Sequence, residues 1–422
     1  MSNDPDRPQH DQFAPAVGFA TRAYRADLAG RTQPLGEHDD GWLAIAALLE
    51  QAAGLPESDA GSVLRHVERL AAEIASPAAL ETLVRREWQN SEIDPVDPIV
   101  AVAEEAQDHN AFRLAAHILD ALLAANRSLS ELQRGRILAR RARAALKLGD
   151  VDGAADRYAQ SLRIGRAVHD PELRARGWVG RASIAFSHGN YPEVWRCARC
   201  AARIADRHEL RMLSHYAHNW LMVAAAMSGR MDDALAHGWR SYRAAAGEPL
   251  KEAEVLVNVS QVLFDTGHAR AARAGWTAVL AMKHLTAHTA LPALGGMAMA
   301  SALLGDTPRV VWAAREVVGL EGAGAPRHSA AAALLECAIA FARIEQPAAA
   351  AEHAAAALQL ARAHGFHEIA FKADSLDVSA ALPSTPRLRL NAHGAAVARD
   401  VERLGCDRLP THVALATVGD ES

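Results

Sequence analysis

The sequence predicts an all-α fold, an α-α superhelix of stacked antiparallel helix pairs. Three observations lead there. A short turn centred on glycine recurs about every 40 residues, at Gly149, Gly189, Gly229, Gly267 and Gly305, with successive spacings of 40, 40, 38 and 38. A fixed period of this size marks stacked supersecondary units. The 422-residue chain is half apolar yet only 5% aromatic. Its alanine runs, such as 330–333 and 348–351, suit helices that pack closely, because alanine is the best helix former. No alternating Val, Ile and Thr stretch reads as a strand.

The elements follow in order. Residues 1–38 carry Pro, Asp, Arg and Gln without helical periodicity and read as a loose tail, and 39–60 read as a capping helix built on Trp42, Leu43, Ile45, Leu48 and Leu49. Terminal repeats need such a cap because their outer face has no neighbour. About eight helix pairs then span roughly 61–404, and 405–422 form a short C-terminal tail. Around each central turn the same small-residue pattern returns. Ala142, Ala182, Met222, Ser260 and Ala298 precede the glycine by seven; Ala154, Val194, Ala234, Ala272 and Val310 follow it by five; Tyr158, Ala198, Gly238, Trp276 and Ala314 follow it by nine. On two antiparallel helices joined by a tight turn these positions face each other. The glycine ends the first helix in a left-handed conformation without a Cβ penalty. Fainter copies place turns at Ser76-Pro77, Asp108-His109-Asn110, Gln346-Pro347 and Thr385-Pro386.

The spacing of small residue, turn glycine, small residue and aromatic (Ala142, Gly149, Ala154, Tyr158), with Trp178 eleven residues before Gly189, resembles the tetratricopeptide repeat superfamily, in the longer repeats of large bacterial regulators. HEAT-like pairs, of similar period, are the alternative architecture. The resemblance implies that the first helix of each pair lines an inner groove. It would bring Arg136, Arg140, Arg143 and Lys147, then Arg176 and Phe186, then Tyr216 and Asn219, then Asn258 and Gln261 to one face. In relatives an asparagine at the offset of Asn258 grips a bound peptide backbone, but the basic clamp around it is not matched, since the equivalent place in the next repeat is Gly296.

Charge is uneven along the chain. Residues 1–126 hold 9 Lys+Arg against 21 Asp+Glu, 127–211 hold 18 against 9, and the remainder 18 against 20. Arg136, Arg140 and Arg143, at helical spacing, present a fork of donors to a carboxylate or phosphate. The expected partner is therefore an extended or acidic protein segment. The bland reading is a solvated helix face. Cys197-x-x-Cys200 followed by His215-x-x-His218 has the ligand types of a zinc site, but both pairs fall on helices, where cysteine is a common small core residue; no metal or other cofactor is expected. Searches for a P-loop, a dinucleotide-binding glycine motif, a metalloprotease His-Glu-x-x-His and a nucleophile elbow find nothing, so no enzyme activity is expected. The N-terminus lacks the basic-then-apolar pattern of a secretory signal, and the expectation is a cytoplasmic, bacterial interaction scaffold. Two alternatives are a signal-responsive regulator acting on a transcription or signalling partner, and a nucleic-acid binder using the arginine-rich 127–211 belt.

Overall fold

The computed structural model describes residues 112–124, 129–283, 285–322, 325–377 and 387–405, with isolated positions between 100 and 107. The expected tail and capping helix, and the turns at Ser76-Pro77, Asp108-His109-Asn110 and Thr385-Pro386, lie outside these residues, as does the chain after Gly405. The described elements are α-helices, with no extended strand among them. The chain divides into two compact units, the first ending at Gly189 and the second beginning at Asn190.

In the first unit α1 (Phe112–Ala124), α2 (Glu131–Lys147), α3 (Val151–Ala167) and α4 (Pro171–Ser187) pack in sequence order, and α2 also touches α4. In the second, α5 (Tyr191–Arg207), α6 (Arg211–Met227), α7 (Met231–Ala244), α8 (Pro249–Asp265), α9 (Ala269–Leu280), α10 (Ala287–Leu303), α11 (Thr307–Gly322), α12 (Arg327–Arg343), α13 (Pro347–Ala363) and α14 (His367–Asp374) do the same. The first helices of successive pairs, α8, α10, α12 and α14, touch one another directly, so their outer sides form a continuous first-helix face within that unit.

The turns explain the regularity. The glycines at 149, 189, 229, 267 and 305 all have positive φ, between 65° and 88°. At Gly149 the next N–H, of Asp150, reaches Ala145 O, and Gly149 N–H reaches Leu146 O. This is the Schellman closure, which satisfies carbonyls that the helix end leaves open. Asp150 then caps the following helix, accepting from Gly153 N–H. One residue thus closes one helix and opens the next. Asp170 repeats both roles, bonding Gly165 O and accepting from Leu173 N–H. The chain therefore turns about every 20 residues. Two turns between pairs hide from a search for glycine because His169 and Glu209 hold the left-handed position there, each with φ of 55°. Glu345, with φ of 59°, does the same inside a pair, in the turn at Gln346-Pro347, while Gly247 and Gly365 close two other between-pair turns.

The paired small positions are buried as expected, Ala142, Ala154, Ala182, Val194, Ser260, Ala272, Ala298 and Val310 all at 0% exposure. Large residues are matched by missing ones. Tyr158 fills the space where Gly180 has no Cβ, Met222 that of Gly238, and Trp276 that of Gly296. A β-carbon at Gly180 would stand 2.2 Å from Tyr158 Cε1, and one at Gly296 would stand 2.4 Å from Trp276 Cζ2. Interiors packed like crystals leave no slack for either.

The C-terminal end departs from the expected row. Helix α15 (Ala392–Leu404) returns to dock on α7 and α9, second helices of two earlier pairs. Leu388 N–H bonds Thr266 O, and Asn391 N–H bonds Asp232 Oδ1. Val401, fully buried, lies where Gly275 leaves room. Residues up to 404 are therefore not one unbroken series of stacked pairs. Gly275 and Gly394 permit an approach that the repeat period does not encode.

Candidate functional site

The first-helix face of the first unit gathers the arginines that the sequence singled out. Arg136, Arg140 and Arg143 are half-buried on α2, Arg176 is half-buried on α4, and Lys147 and Phe186 are exposed near the ends of their helices. The helical spacing of 136, 140 and 143 puts three guanidinium stems on one side, and the contact of α2 with α4 adds the fourth. Arg140 pairs with Glu104 and donates to Arg136 O at 3.3 Å; its side chain is only 12% exposed. Arg176 pairs with Glu172 at 3.0 Å.

Electrostatics tie the group together. Burial, and then the neighbouring Arg176, push the Arg140 guanidinium below its usual range, against the pull of Glu104 and Glu172. Burial would raise the Glu172 carboxyl, but its hydrogen bond from Arg176 and the charges of Arg176, Arg136 and Arg140 hold it below the usual carboxylate range. Beneath them Tyr158 is pushed up to about 12 by burial, opposed by Arg143 and Arg176. Four guanidinium groups thus gather on a partly desolvated face, two of them paired with Glu104 and Glu172. Such a face gains most from an added anion, since a guanidinium fork matches carboxylate or phosphate geometry.

The second unit carries a different chemistry. On α6, Tyr216 and Asn219 are half-buried beside Val223, and on α8, Asn258 and Gln261 are exposed. Asn219 Oδ1 is enclosed with no hydrogen-bond partner among the described residues. Gln261 Nε2 donates to Asp265 Oδ1 at 2.8 Å. Two acids here escaped the sequence reading. Burial raises the Asp265 carboxyl. Glu336, on α12, lays Oε2 into the space that Gly295 leaves open on α10, and burial, with Asp265 adding, pushes it up to about 7. Its signal was available: Glu336 is the single charge between Arg327 and Arg343. The sequence brought arginines, amides and aromatics to one list; the structure groups the arginines in the first unit and the amides, with unforeseen acids, in the second.

The cysteine–histidine set does not converge. Cys197 is buried with Sγ 3.2 Å from Glu193 Oε1. His215 Nδ1 lies 3.0 Å from Ser241 Oγ, while His218 turns to His237 and Asp206. Among the described residues no three His, Cys, Asp or Glu side chains gather as metal ligands. Nor is any described helix long and apolar enough to cross a membrane.

No family model matches the sequence, and no curated protein matches it. Solved structures do. A signal transduction ATPase with numerous domains (STAND) protein with a tetratricopeptide repeat sensor, PH0952 from Pyrococcus horikoshii, aligns at TM-score 0.50 and 11% identity over 88% of this chain and 56% of that one. A Rap protein complexed with competence and sporulation factor aligns at TM-score 0.46 and 13% identity, over 82% and 99%. BtubC (BKLC) from P. vanneervenii aligns at TM-score 0.35 and 20% identity, over 51% and 83%. Identities this low bear on the fold alone: the helix pairs have the tetratricopeptide-like architecture.

Proposed function

With tetratricopeptide-like helix pairs as the premise, we propose that this protein is a non-enzymatic scaffold that holds an extended protein segment along its first-helix faces, in the cytoplasm of a bacterium. The arginine face formed by Arg136, Arg140, Arg143 and Arg176, with Lys147 at its edge, takes an acidic group of that segment. Phe186 offers apolar contact nearby. Within the second unit, and independently of the arginine face, Tyr216, Asn219, Asn258 and Gln261 supply amide and hydroxyl contacts to peptide backbone, as peptide-binding grooves do. The observation that carries the reading is the gathering of Arg136, Arg140, Arg143 and Arg176 on one half-buried face, where burial and neighbouring guanidinium charge lower Arg140 and the surrounding arginines hold Glu172 ionised. Burying guanidinium groups beside one another is costly unless an anion joins them.

The test is binding of a fluorescent glutamate-rich peptide to the wild type and to the combined Arg136→Glu, Arg143→Glu, Arg176→Glu variant. The reading expects wild-type affinity that falls as salt rises and at least tenfold weaker binding by the variant. Equal affinity of both proteins would overturn it. A second reading, a signal-responsive regulator, draws on the likeness to a protein whose repeats are described as a sensor. It requires the scattering profile to change when the groove is saturated, and an unchanged profile counts against it.

A further inference from the structure

Two imidazoles meet inside the second unit without a metal-like ligand set around them. His218, on α6, and His237, on α7, stand with their Nδ1 atoms 3.0 Å apart and their rings stacked at 5.1 Å. His218 is 4% exposed. Its Nε2 lies 3.4 Å from Asp206 Oδ2 on α5, and Ser214 Oγ donates to the other Asp206 oxygen at 2.6 Å. Trp195, also on α5, presents its ring edge-on to His237 at 5.4 Å, with Arg230 over the Trp195 face at 3.8 Å.

These contacts assign the protons. An ionised carboxylate only accepts, so His218 offers Nε2–H to Asp206 and keeps a lone pair on Nδ1. His237 then donates its Nδ1–H to that lone pair, and its own Nε2 is bare. The arrangement holds one proton between the two facing nitrogens. A first extra proton lands on His237 Nε2 and makes an imidazolium beside Arg230 and Arg240, with Asp233 the only carboxylate on the same helix acting on it. A second lands on His218 Nδ1, removes the acceptor and sets two cations against each other.

We propose that His218 and His237 form a proton-sensitive clasp that fastens α6 to α7 and α5, so that acidification loosens α6 together with its groove-side residues Tyr216, Asn219 and Val223. The regulatory meaning rests on the reading of that side of α6 as ligand-binding; the clasp itself does not. The sign follows from linkage. Burial, with the neighbouring His218 and Arg240, pushes the His237 imidazole down to about 4, and burial lowers His218 against the pull of Asp206. Both are thus held neutral in the closed state and take up protons near 6.5 once the helices part. Opening is favoured increasingly as pH falls from about 6.5 toward 4, and the preference vanishes above 7. His215, one turn away, is also lowered by burial but keeps its Ser241 contacts, and it faces Glu254 and Lys251 of α8 rather than the pair.

Hydrogen exchange on the full chain tests this without any ligand. After correction for intrinsic rates, local opening of the Tyr216–Val223 amides rises about tenfold between pH 7.5 and 5.0 relative to Leu294–Ala302 in α10. His237→Gln, which cannot take the first proton, shrinks the difference severalfold, leaving the share that His218 supplies. Parallel behaviour of the two helices in the wild type, or an unchanged difference in His237→Gln, overturns the clasp. Should that variant fail to fold, imidazole nitrogen resonances of the wild type decide: the pair staying neutral below pH 6 supports it, and titration of both near 6.5 refutes it. Because no partner enters these measurements, failure of the arginine-face test leaves the clasp standing, and the reverse holds.

Discussion

Replacing single turn residues probes the period directly. Gly149, Gly189, Gly229 and Gly305 hold φ between 65° and 88°, and a β-carbon at any of them meets no heavy atom within 4 Å. Alanine there changes backbone strain and nothing else. The left-handed conformation costs a residue with a β-carbon about 1–2 kcal/mol, and the stiffer unfolded chain returns about 0.4–1 kcal/mol. Each Gly→Ala change should therefore destabilise by about 0.5–1 kcal/mol, with little influence of position. The reverse swap has the opposite sign. His169, Glu209 and Glu345 occupy the same conformation with exposed side chains, so glycine should stabilise at each by about 0.5 kcal/mol. A packing control separates the two mechanisms. Alanine at Gly180, inside α4 and 2.2 Å from Tyr158 Cε1, should cost about 1–3 kcal/mol through overpacking. Urea unfolding followed by both circular dichroism and tryptophan fluorescence reads all of these, with agreement of the two probes establishing that one transition is being compared. Neutral alanines at Gly149 and Gly229, or a destabilising glycine at His169, would refute the argument that the 20-residue turns are set by one shared closure.

Two further outcomes follow from side chains the repeat pattern does not explain. Glu336, raised to about 7, is disfavoured in its charged form, so it costs stability progressively as pH rises from about 4.5 to 7; Glu336→Gln should flatten that dependence and stabilise the protein at pH 8 by on the order of 2 kcal/mol, measured as thermal melting across pH. Val401 fills the gap at Gly275, so Val401→Asp should undock α15 and speed proteolysis of the 387–405 segment severalfold while leaving α10–α13 protected; unchanged cleavage would count against the docking.

Legibility varied with the range of the interaction. The helix pairs, their turns and their buried small positions were readable because each depends on residues close in sequence: Gly149 on Ala145 and Leu146, Ala142 on the helix across one turn. The arginine grouping was partly readable, since Arg136, Arg140 and Arg143 share one helix, and the arrival of Arg176 needs only the adjacent repeat. Two between-pair turns left no glycine mark because His169 and Glu209 occupy a conformation that the sequence usually advertises with glycine.

Local chemistry written into the sequence was thus sufficient for an all-α chain with a turn-and-cap rhythm and arginines gathered on one helix face. Tertiary structure alone decided the partners of His218, the carboxylate that settles against Gly295, and the return of α15 to a surface more than 100 residues earlier in the chain. Backbone closure and helical spacing act over a few residues and leave a repeating trace; these three depend on which gaps and polar atoms distant helices happen to leave facing one another, and no periodicity records that.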